Sequence, residues 1–399
     1  MIRTFGVLTL LTMLWSCSSN EESINSYIGF DIEKQELDSY LEEQMQQRKI
    51  PGMAIAFIEE GQVVHYNTFG YANVQDGIPV TKSTIFEAAS LSKPIFAFFV
   101  MKYVEEGKLD LDTPLYTYLP YPDIAHDERY KKITARMVLS HRSGFPNWRG
   151  DYPENELFIQ FEPGSDYFYS GEGYMYLSKV LKHLDQTDWE GLERAFQAKV
   201  AVPSGMQHSV FIQDEYSKRN KAEPYDENME WISPERDRDS IVRFQFMAPA
   251  SLHSEPLDFS KWLITMMEEE GLQASSYEEL FTVHSYVDQF NGINVDYTLG
   301  FFKPQIPFTN IYMHGGNNYG FTSYFTIDPK KKWGFVLFTN SEYGEEFGGE
   351  LSLYMLAGPD HTKLYLVLGL ILLTIITGLV LLVRYLLRQR KKIKANIQE

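Results

Sequence analysis

FEAASLSKPIFAFFVMKYVEEGKLDLD, residues 86–112, is the stretch from which the rest of the chain can be read. Pro94 opens an apolar run from Ile95 to Val104 that stops at Glu105-Glu106-Gly107. Proline suits a helix's first turn and glycine its C-terminal cap, so a helix begins near Ser90 and ends before Gly107. Residues three apart share a helix face, which brings the Lys93 ammonium within reach of the Ser90 hydroxyl. A lysine accepts a proton from serine only when its pKa falls. The helix dipole and burial against Phe86, Ile95 and Phe96 both favour that fall. Ser-x-x-Lys alone is common in long sequences, so the surrounding chain has to supply the rest.

Upstream, Leu37, Leu41 and Met45 recur every four positions between Asp31 and Arg48, predicting an amphipathic helix that stops at Pro51-Gly52. Met53 to Ile58 and Val63 to Tyr71 flank the Glu59-Glu60-Gly61 turn and read as a strand hairpin. Downstream, strands are predicted at Asn310 to Met313, Phe321 to Ile327 and Trp333 to Thr339, the last two joined by an Asp328-Pro329-Lys330 turn. Between these ends, helical patterns dominate at Pro94 to Glu106, Tyr174 to Leu184 and Leu257 to Glu269. The charged stretch Asp214 to Asp239 lacks a period and reads as a solvated excursion. A helix, a hairpin, a helical insert and returning antiparallel strands describe an α+β domain over 31–357 with a cleft between sheet and insert.

The two ends carry membrane signals. Residues 1–16 combine Arg3 with an uncharged stretch from Phe5 to Trp15, the layout of a signal peptide. Cys17 follows directly and is a candidate lipidation site, with a polar tether over 17–30. Leu364 to Val383 has no charge and, at 1.5 Å per residue, matches a hydrocarbon core of about 30 Å, so a C-terminal transmembrane helix is expected. The 384–399 tail holds Arg384, Arg388, Arg390, Lys391, Lys392 and Lys394 against Glu399. By the positive-inside rule the tail is cytoplasmic and the body extracytoplasmic, at the cell membrane.

Composition narrows the chemistry. A net charge of −18 over 399 residues argues against a nucleic-acid partner. The single cysteine excludes an internal disulfide or thiolate-rich metal site, and the nine histidines are scattered, so neither metal nor cofactor is expected. Gly-x-Ser-x-Gly, His-Glu-x-x-His and P-loop patterns are all missing from the sequence. His141 beside Ser143 reads as part of a loop under the cleft rather than a second catalytic group.

The 86–112 stretch resembles the nucleophile segment of class C β-lactamases and the related penicillin-binding proteins and esterases. Further matching segments follow in that family's order: Leu139-Ser140-His141-Arg142-Ser143-Gly144, then Pro163-Gly164 leading to Tyr169-Ser170-Gly171, then His314-Gly315-Gly316. The likeness runs from about Leu37 to about Thr339. It implies a β-lactamase/transpeptidase-like fold, an antiparallel sheet flanked by helices. It also implies Ser90 as acylated nucleophile, Lys93 as general base and Tyr169 as proton carrier. Tyr169 would itself be the base only if a nearby cation such as Lys93 lowered its pKa, and the sequence leaves that choice open. Ser170, Gly171, His314, Gly315, Gly316 and Asn317 would line the substrate site, the Ser90 and Asn317 amides forming the oxyanion hole.

Three departures shape the expectation. Gly171 replaces an asparagine that touches the amide side chain of β-lactams, which argues against a true β-lactamase. His314 replaces the cation of a Lys-Thr-Gly strand and, partly charged near neutral pH, would hold a substrate carboxylate less firmly. Ser251-Leu252-His253-Ser254 stands where many relatives carry a Gly-Gly turn. The expected protein is a membrane-anchored serine hydrolase acting on an ester, amide or D-amino-acid peptide, cell-wall peptide being one candidate. A catalytically silent binding or sensing module is the alternative from another class.

Overall fold

The computed structural model describes residues 22–233, 245–290, 292–358, 373–374 and 376–386. The chain forms two compact units, Lys34–Ser352 and a second made of residues up to Glu33 and from Leu353 onward. In the second unit, Ser23–Asn25 pairs antiparallel with Asp31–Glu33.

Within Lys34–Ser352 the described residues build a nine-stranded sheet. Its strands are β1 (Gly52–Glu59), β2 (Gln62–Asn73), β3 (Ile78–Pro79), β4 (Ser285–Phe290), β5 (Ile293–Tyr297), β6 (Phe302–Pro304), β7 (Tyr312–Asn318), β8 (Phe321–Asp328) and β9 (Trp333–Thr339). They lie in the order β3-β2-β1-β9-β8-β7-β6-β5-β4, each pair antiparallel. The hairpin therefore opens the chain yet pairs with its last strand, Ala56 opposite Val336. Central strands β1, β8 and β9 are buried almost throughout, which is why they read as continuous apolar runs rather than alternating ones.

The helices that frame the site are α1 (Lys34–Arg48), α2 (Ser92–Glu105), α3 (Gly171–Leu184), α4 (Pro256–Met267) and α5 (Gly344–Ala357), with shorter ones between them. In α1 the buried residues are Leu37, Leu41 and Met45, the predicted stripe. In α2 every residue from Ser92 to Met101 is buried, and a helix apolar all round belongs in the middle of a core. Phe96 and Phe99 of α2 pack against Phe246, and Phe98 packs edge-on against Trp262 of α4. A two-residue ladder, Phe86–Glu87 with His253–Ser254, ties the start of α2's segment to the start of α4's. The Ala89–Leu91 turn between them lies against β7 and β8, and this contact sets where the site forms.

Three expectations need correction. The predicted transmembrane helix over 364–383 is not borne out: among the described residues no helix is long and apolar enough to cross a membrane. Of that stretch the structure describes helix at 373–374 and 376–386, and 364–372 and 375 lie outside the described residues. The signal peptide, Cys17 and nearly all of the basic tail likewise lie outside the described residues. The stretch Asp214 to Asp239 is not simply a solvated excursion. It contains the helix Glu215–Asn220, and Ala222, Tyr225, Asp226 and Ile232 are buried, although 234–239 lie outside the described residues. Backbone bonds from Ala222 N–H to Ile85 and from Glu223 N–H to Ala72 stitch it to the body, a cause that periodicity does not register. Finally, β4, β5 and β6 fall where no strands were predicted, because their short, mixed sequences carry no alternation.

Candidate active site

Ser90 is the half-buried residue in a segment that is otherwise sealed from Thr84 to Met101. Before it, Ala89 sits in the left-handed region at φ +46°, a conformation that costs an L-residue roughly 1–2 kcal/mol. The neighbours hold it there. Ala88 N–H donates to Leu252 O (2.7 Å), Ala88 O accepts from Ser323 Oγ (2.7 Å), and Ser92 Oγ donates to Ala89 O (2.6 Å). A strained turn so heavily braced is a device for presenting one side chain.

Lys93 Nζ lies 2.9 Å from Ser90 Oγ and 2.9 Å from the carbonyl of Pro249, with the residue 1% exposed. Burial drives its pKa well below the usual lysine value, and the Glu345 carboxylate opposes this only in part. Nζ thus hydrogen-bonds Ser90 Oγ and Pro249 O from a site whose burial favours the neutral amine more than an exposed lysine's surroundings would. The Tyr169 phenol is also a hydrogen-bond partner of the Ser90 side chain. Burial pushes its phenol well above the ordinary value, so Lys93 does not lower it as the base role would require. Tyr169 stays protonated. Lys93 Nζ stands 4.5 Å from the Tyr169 ring centroid, where an ammonium formed during reaction meets the ring face.

Strand β7 completes the site. A Cβ on Gly316 would stand 2.6 Å from Ser323 Oγ, 2.7 Å from Ala88 O and 2.8 Å from Ser90 N, so only glycine lets β7 press against the nucleophile turn. That contact brings the Asn317 backbone beside Ser90, while the Asn317 side chain is exposed and donates to Glu342. Beyond Met313, which pairs with Phe302, β7 has no partner on its β6 side among the described residues. His314 is buried. Tyr297 hydroxyl donates to its Nε2 (3.1 Å), and its Nδ1 donates to Gly315 O (2.5 Å). Burial, with Lys93 nearby, pushes its pKa down to about 3, so it is neutral rather than partly charged.

A family model described as Beta-lactamase matches residues 37–358. The chain belongs to the beta-lactamase family. It is 21% identical over 328 residues to Protein flp of Staphylococcus aureus strain MW2, covering 78% of this chain but only 64% of that protein. Among solved structures it resembles the octameric penicillin-binding protein homologue from Pyrococcus abyssi (TM-score 0.70, 26% identity, 82% of this chain and 77% of that one). It also shares its fold with the D-amino acid amidase of Ochrobactrum anthropi SV3 (TM-score 0.64, 20% identity, 78% and 95% covered). These matches give the family and its fold, and the chain spans about 64% of the length of the curated relatives it matches.

As a member of the beta-lactamase family the chain departs where the sequence indicated, and the structure gives the reasons. Gly171 lacks the family's asparagine side chain, and a Cβ there would stand 3.0 Å from both Asn147 O and the Trp148 ring. Trp148 has taken the space. Ser170 is placed with the site in sequence only: its hydroxyl is buried, caps α3 through Gly173 N–H (3.0 Å) and donates to Pro146 O (2.9 Å). His141 accepts from Ser170 N–H (3.0 Å), with its ring 4.3 Å from that of Tyr169, while Ser143 Oγ accepts from Phe145 N–H. The segment is the supporting loop that was expected. The Ser251–Ser254 segment replaces the Gly-Gly turn with one leg of the short ladder, its amides and carbonyls holding Ala88 and Ser92.

Several site residues carried no signal in the sequence. Pro249 contributes only a carbonyl. Tyr297 backs His314 from β5, and Tyr174 of α3 donates to Leu139 O (3.1 Å). Glu345, in the first turn of α5, is exposed, and a Cβ on Gly315 would stand on its carboxylate (2.2 Å). Among the described residues no group of His, Cys, Asp and Glu is disposed to hold a metal ion.

Proposed function

We propose that this chain hydrolyses an ester, amide or D-amino-acid peptide through an acyl-Ser90 intermediate. The observation that carries the reading is a buried Lys93 Nζ 2.9 Å from the half-buried Ser90 hydroxyl, with a pKa driven down by burial. Ser90 Oγ attacks the substrate carbonyl while Lys93 takes its proton. The backbone amides of Ser90 and Asn317 hold the oxyanion, a donor of this kind being worth about 3 kcal/mol. Tyr169 protonates the departing alcohol or amine, and the Lys93 ammonium restores that proton. Water then attacks the acyl group, giving its proton back through the same pair and releasing the acid. The D-amino acid amidase named above supports the amide side of this range only as an analogy of fold.

Two observations weigh against the rivals. At Gly171 even a Cβ would stand 3.0 Å from the Asn147 carbonyl and the Trp148 ring, which crowds the position where a true β-lactamase employs an asparagine. A silent binding module has no use for a strained Ala89 turn and a desolvated lysine aimed at a serine. The test is fluorophosphonate labelling of the full chain and of Ser90→Ala, with the adduct located by mass. Labelling at Ser90 that vanishes in the variant is expected, and a folded protein that does not label would return the silent module. An extracytoplasmic location belongs to the proposal on residues 1–17 alone, and the mass of the mature N-terminus tests both export and lipid attachment at Cys17.

A further inference from the structure

His141 is fully buried, and its Nδ1 accepts the backbone N–H of Ser170 (3.0 Å). A backbone amide only donates, so Nδ1 carries no proton and the ring is a neutral imidazole with its hydrogen on Nε2. That Nε2–H finds no hydrogen-bond partner among the described residues. The ring lies among those of Tyr169, Tyr297, Tyr174 and Tyr167, at 4.3, 4.7, 5.3 and 5.9 Å between centroids. Burial, with Lys93 and His314 nearby, holds its pKa well below the usual histidine value and so keeps Nδ1 an acceptor. A buried donor without an acceptor is costly, and one that persists in a folded protein calls for a reason. Here the other nitrogen supplies it. The His141 carbonyl accepts from Phe168 N–H (2.9 Å) while Nδ1 accepts from Ser170 N–H, so one residue holds the peptides on both sides of Tyr169. His141 is itself fixed by its N–H to Val138 O (3.1 Å) and by a left-handed backbone at φ +57°.

Building on the acyl-Ser90 reading, in which Tyr169 protonates the leaving group, we propose that His141 is the positioning residue of that acid: its carbonyl and its unprotonated Nδ1 clamp the peptides flanking Tyr169, and its ring holds the phenol toward Ser90. His141 exchanges no proton in this role. Ser170 also caps α3 through Gly173 N–H, so the clamp ties Tyr169 to the start of that helix. A side chain with no acceptor at the Nδ1 position leaves Ser170 N–H unpaired inside the protein and frees the Tyr169 peptide to turn.

The experiment compares two esters that form the same butyryl-Ser90: ethyl butyrate, whose alkoxide needs a proton to depart, and p-nitrophenyl butyrate, whose phenolate leaves without one. Hydrolysis by the full chain is followed by pH-stat titration, and the ratio of the p-nitrophenyl to the ethyl kcat/KM is taken for each protein. Tyr169→Phe should raise this ratio about 10²-fold. His141→Phe, which keeps a ring but no acceptor, should raise it at least about tenfold. His141→Asn, whose Oδ1 can take the place of Nδ1 and which tolerates a left-handed backbone, should return it close to the wild-type value. In a Tyr169→Phe background, His141→Phe should move the ratio no further, because both changes act through one phenol. A role confined to stability would lower both rates alike and leave the ratio unmoved. The ratio is internal to each preparation, and His141→Ala serves in place of His141→Phe if the larger ring does not fold. The inference is overturned if the variant without an acceptor keeps the wild-type ratio, if His141→Asn raises it as far as His141→Phe, or if the effects of His141→Phe and Tyr169→Phe multiply. Hydrolysis of p-nitrophenyl butyrate that survives Ser90→Ala would instead remove the acyl-Ser90 reading beneath it.

Discussion

Lys93 and Tyr169 both hydrogen-bond Ser90, with pKa values pushed in opposite directions, Lys93 down and Tyr169 up, both by burial. Under the proposed mechanism this separates their roles, the amine as base and the phenol as acid. For Lys93 the sign is fixed by its neutral form being the active one. The acylation rate therefore falls as pH drops through the depressed lysine pKa and holds level above it. An unperturbed lysine would be less than about 1% neutral at pH 8 and would give no such plateau. The pH dependence of fluorophosphonate labelling measures this, and a rate still climbing at about pH 10, where an unperturbed lysine titrates, would refute it. Lys93→Met should lower labelling by at least about 10²-fold. Tyr169→Phe is expected to behave differently, sparing reaction with a fluoride-releasing probe while slowing hydrolysis of simple alkyl esters by about 10²-fold, because only poor leaving groups need its proton. Equal losses on both would mean that the phenol acts earlier, in activating Ser90.

At the scale of elements, the site depends on β7 lying against the turn that presents Ser90, and Gly316 is the point of contact. Gly316→Ala adds a methyl facing two backbone atoms that have no rotamer to move, so β7 or the turn must shift. We expect a loss of about 1–3 kcal/mol in stability, read by urea unfolding, with a roughly 10²-fold drop in labelling from the displaced amide of Asn317. Wild-type values for both would show that the contact is not needed. Ser90 and Lys93 were legible from their spacing on one helical turn, whereas Tyr169 and His314-Gly315-Gly316 were marked only by the resemblance to a family whose motifs they match in order. Helices α1 to α4, the hairpin and β8–β9 were legible by the same logic of period and turn. Pro249, Tyr297 and Glu345 were not, since nothing in the residues around them marks the tertiary contact that matters. The charge state of His314 was misread for the same reason. An imidazole's pKa depends on what buries it, and here that is Tyr297 from a strand the sequence did not reveal.

For the molecule as a whole, one buried charge links segments far apart in the chain. Glu87, 4% exposed, sits on the short ladder just before the nucleophile turn and is paired with Lys221 from the segment after helix Glu215–Asn220. Asn318 at the end of β7 donates to the same carboxylate (2.7 Å) and to Ala250 O (3.2 Å). Burial alone would raise the Glu87 pKa, but Lys221, His253 and the Lys221 and Asn318 hydrogen bonds overcome it and hold the carboxyl at about 2, against an ordinary 4.5. A carboxyl depressed on folding stabilises fully above its unfolded pKa and loses that contribution as pH falls through its folded one. Glu87 should therefore add about 3 kcal/mol at neutral pH, and that contribution should disappear between about pH 4.5 and pH 2. Lys221→Met leaves the carboxylate buried with hydrogen bonds but without its main counter-charge, a change that costs about 3–5 kcal/mol. Urea unfolding of both proteins across this range should show a large gap at neutral pH that narrows as Glu87 protonates in the variant and then in the wild type. A gap that stays constant down to pH 2 would mean that Lys221 stabilises the fold by packing on the Phe321 ring, 5.0 Å from its Nζ, rather than by charge.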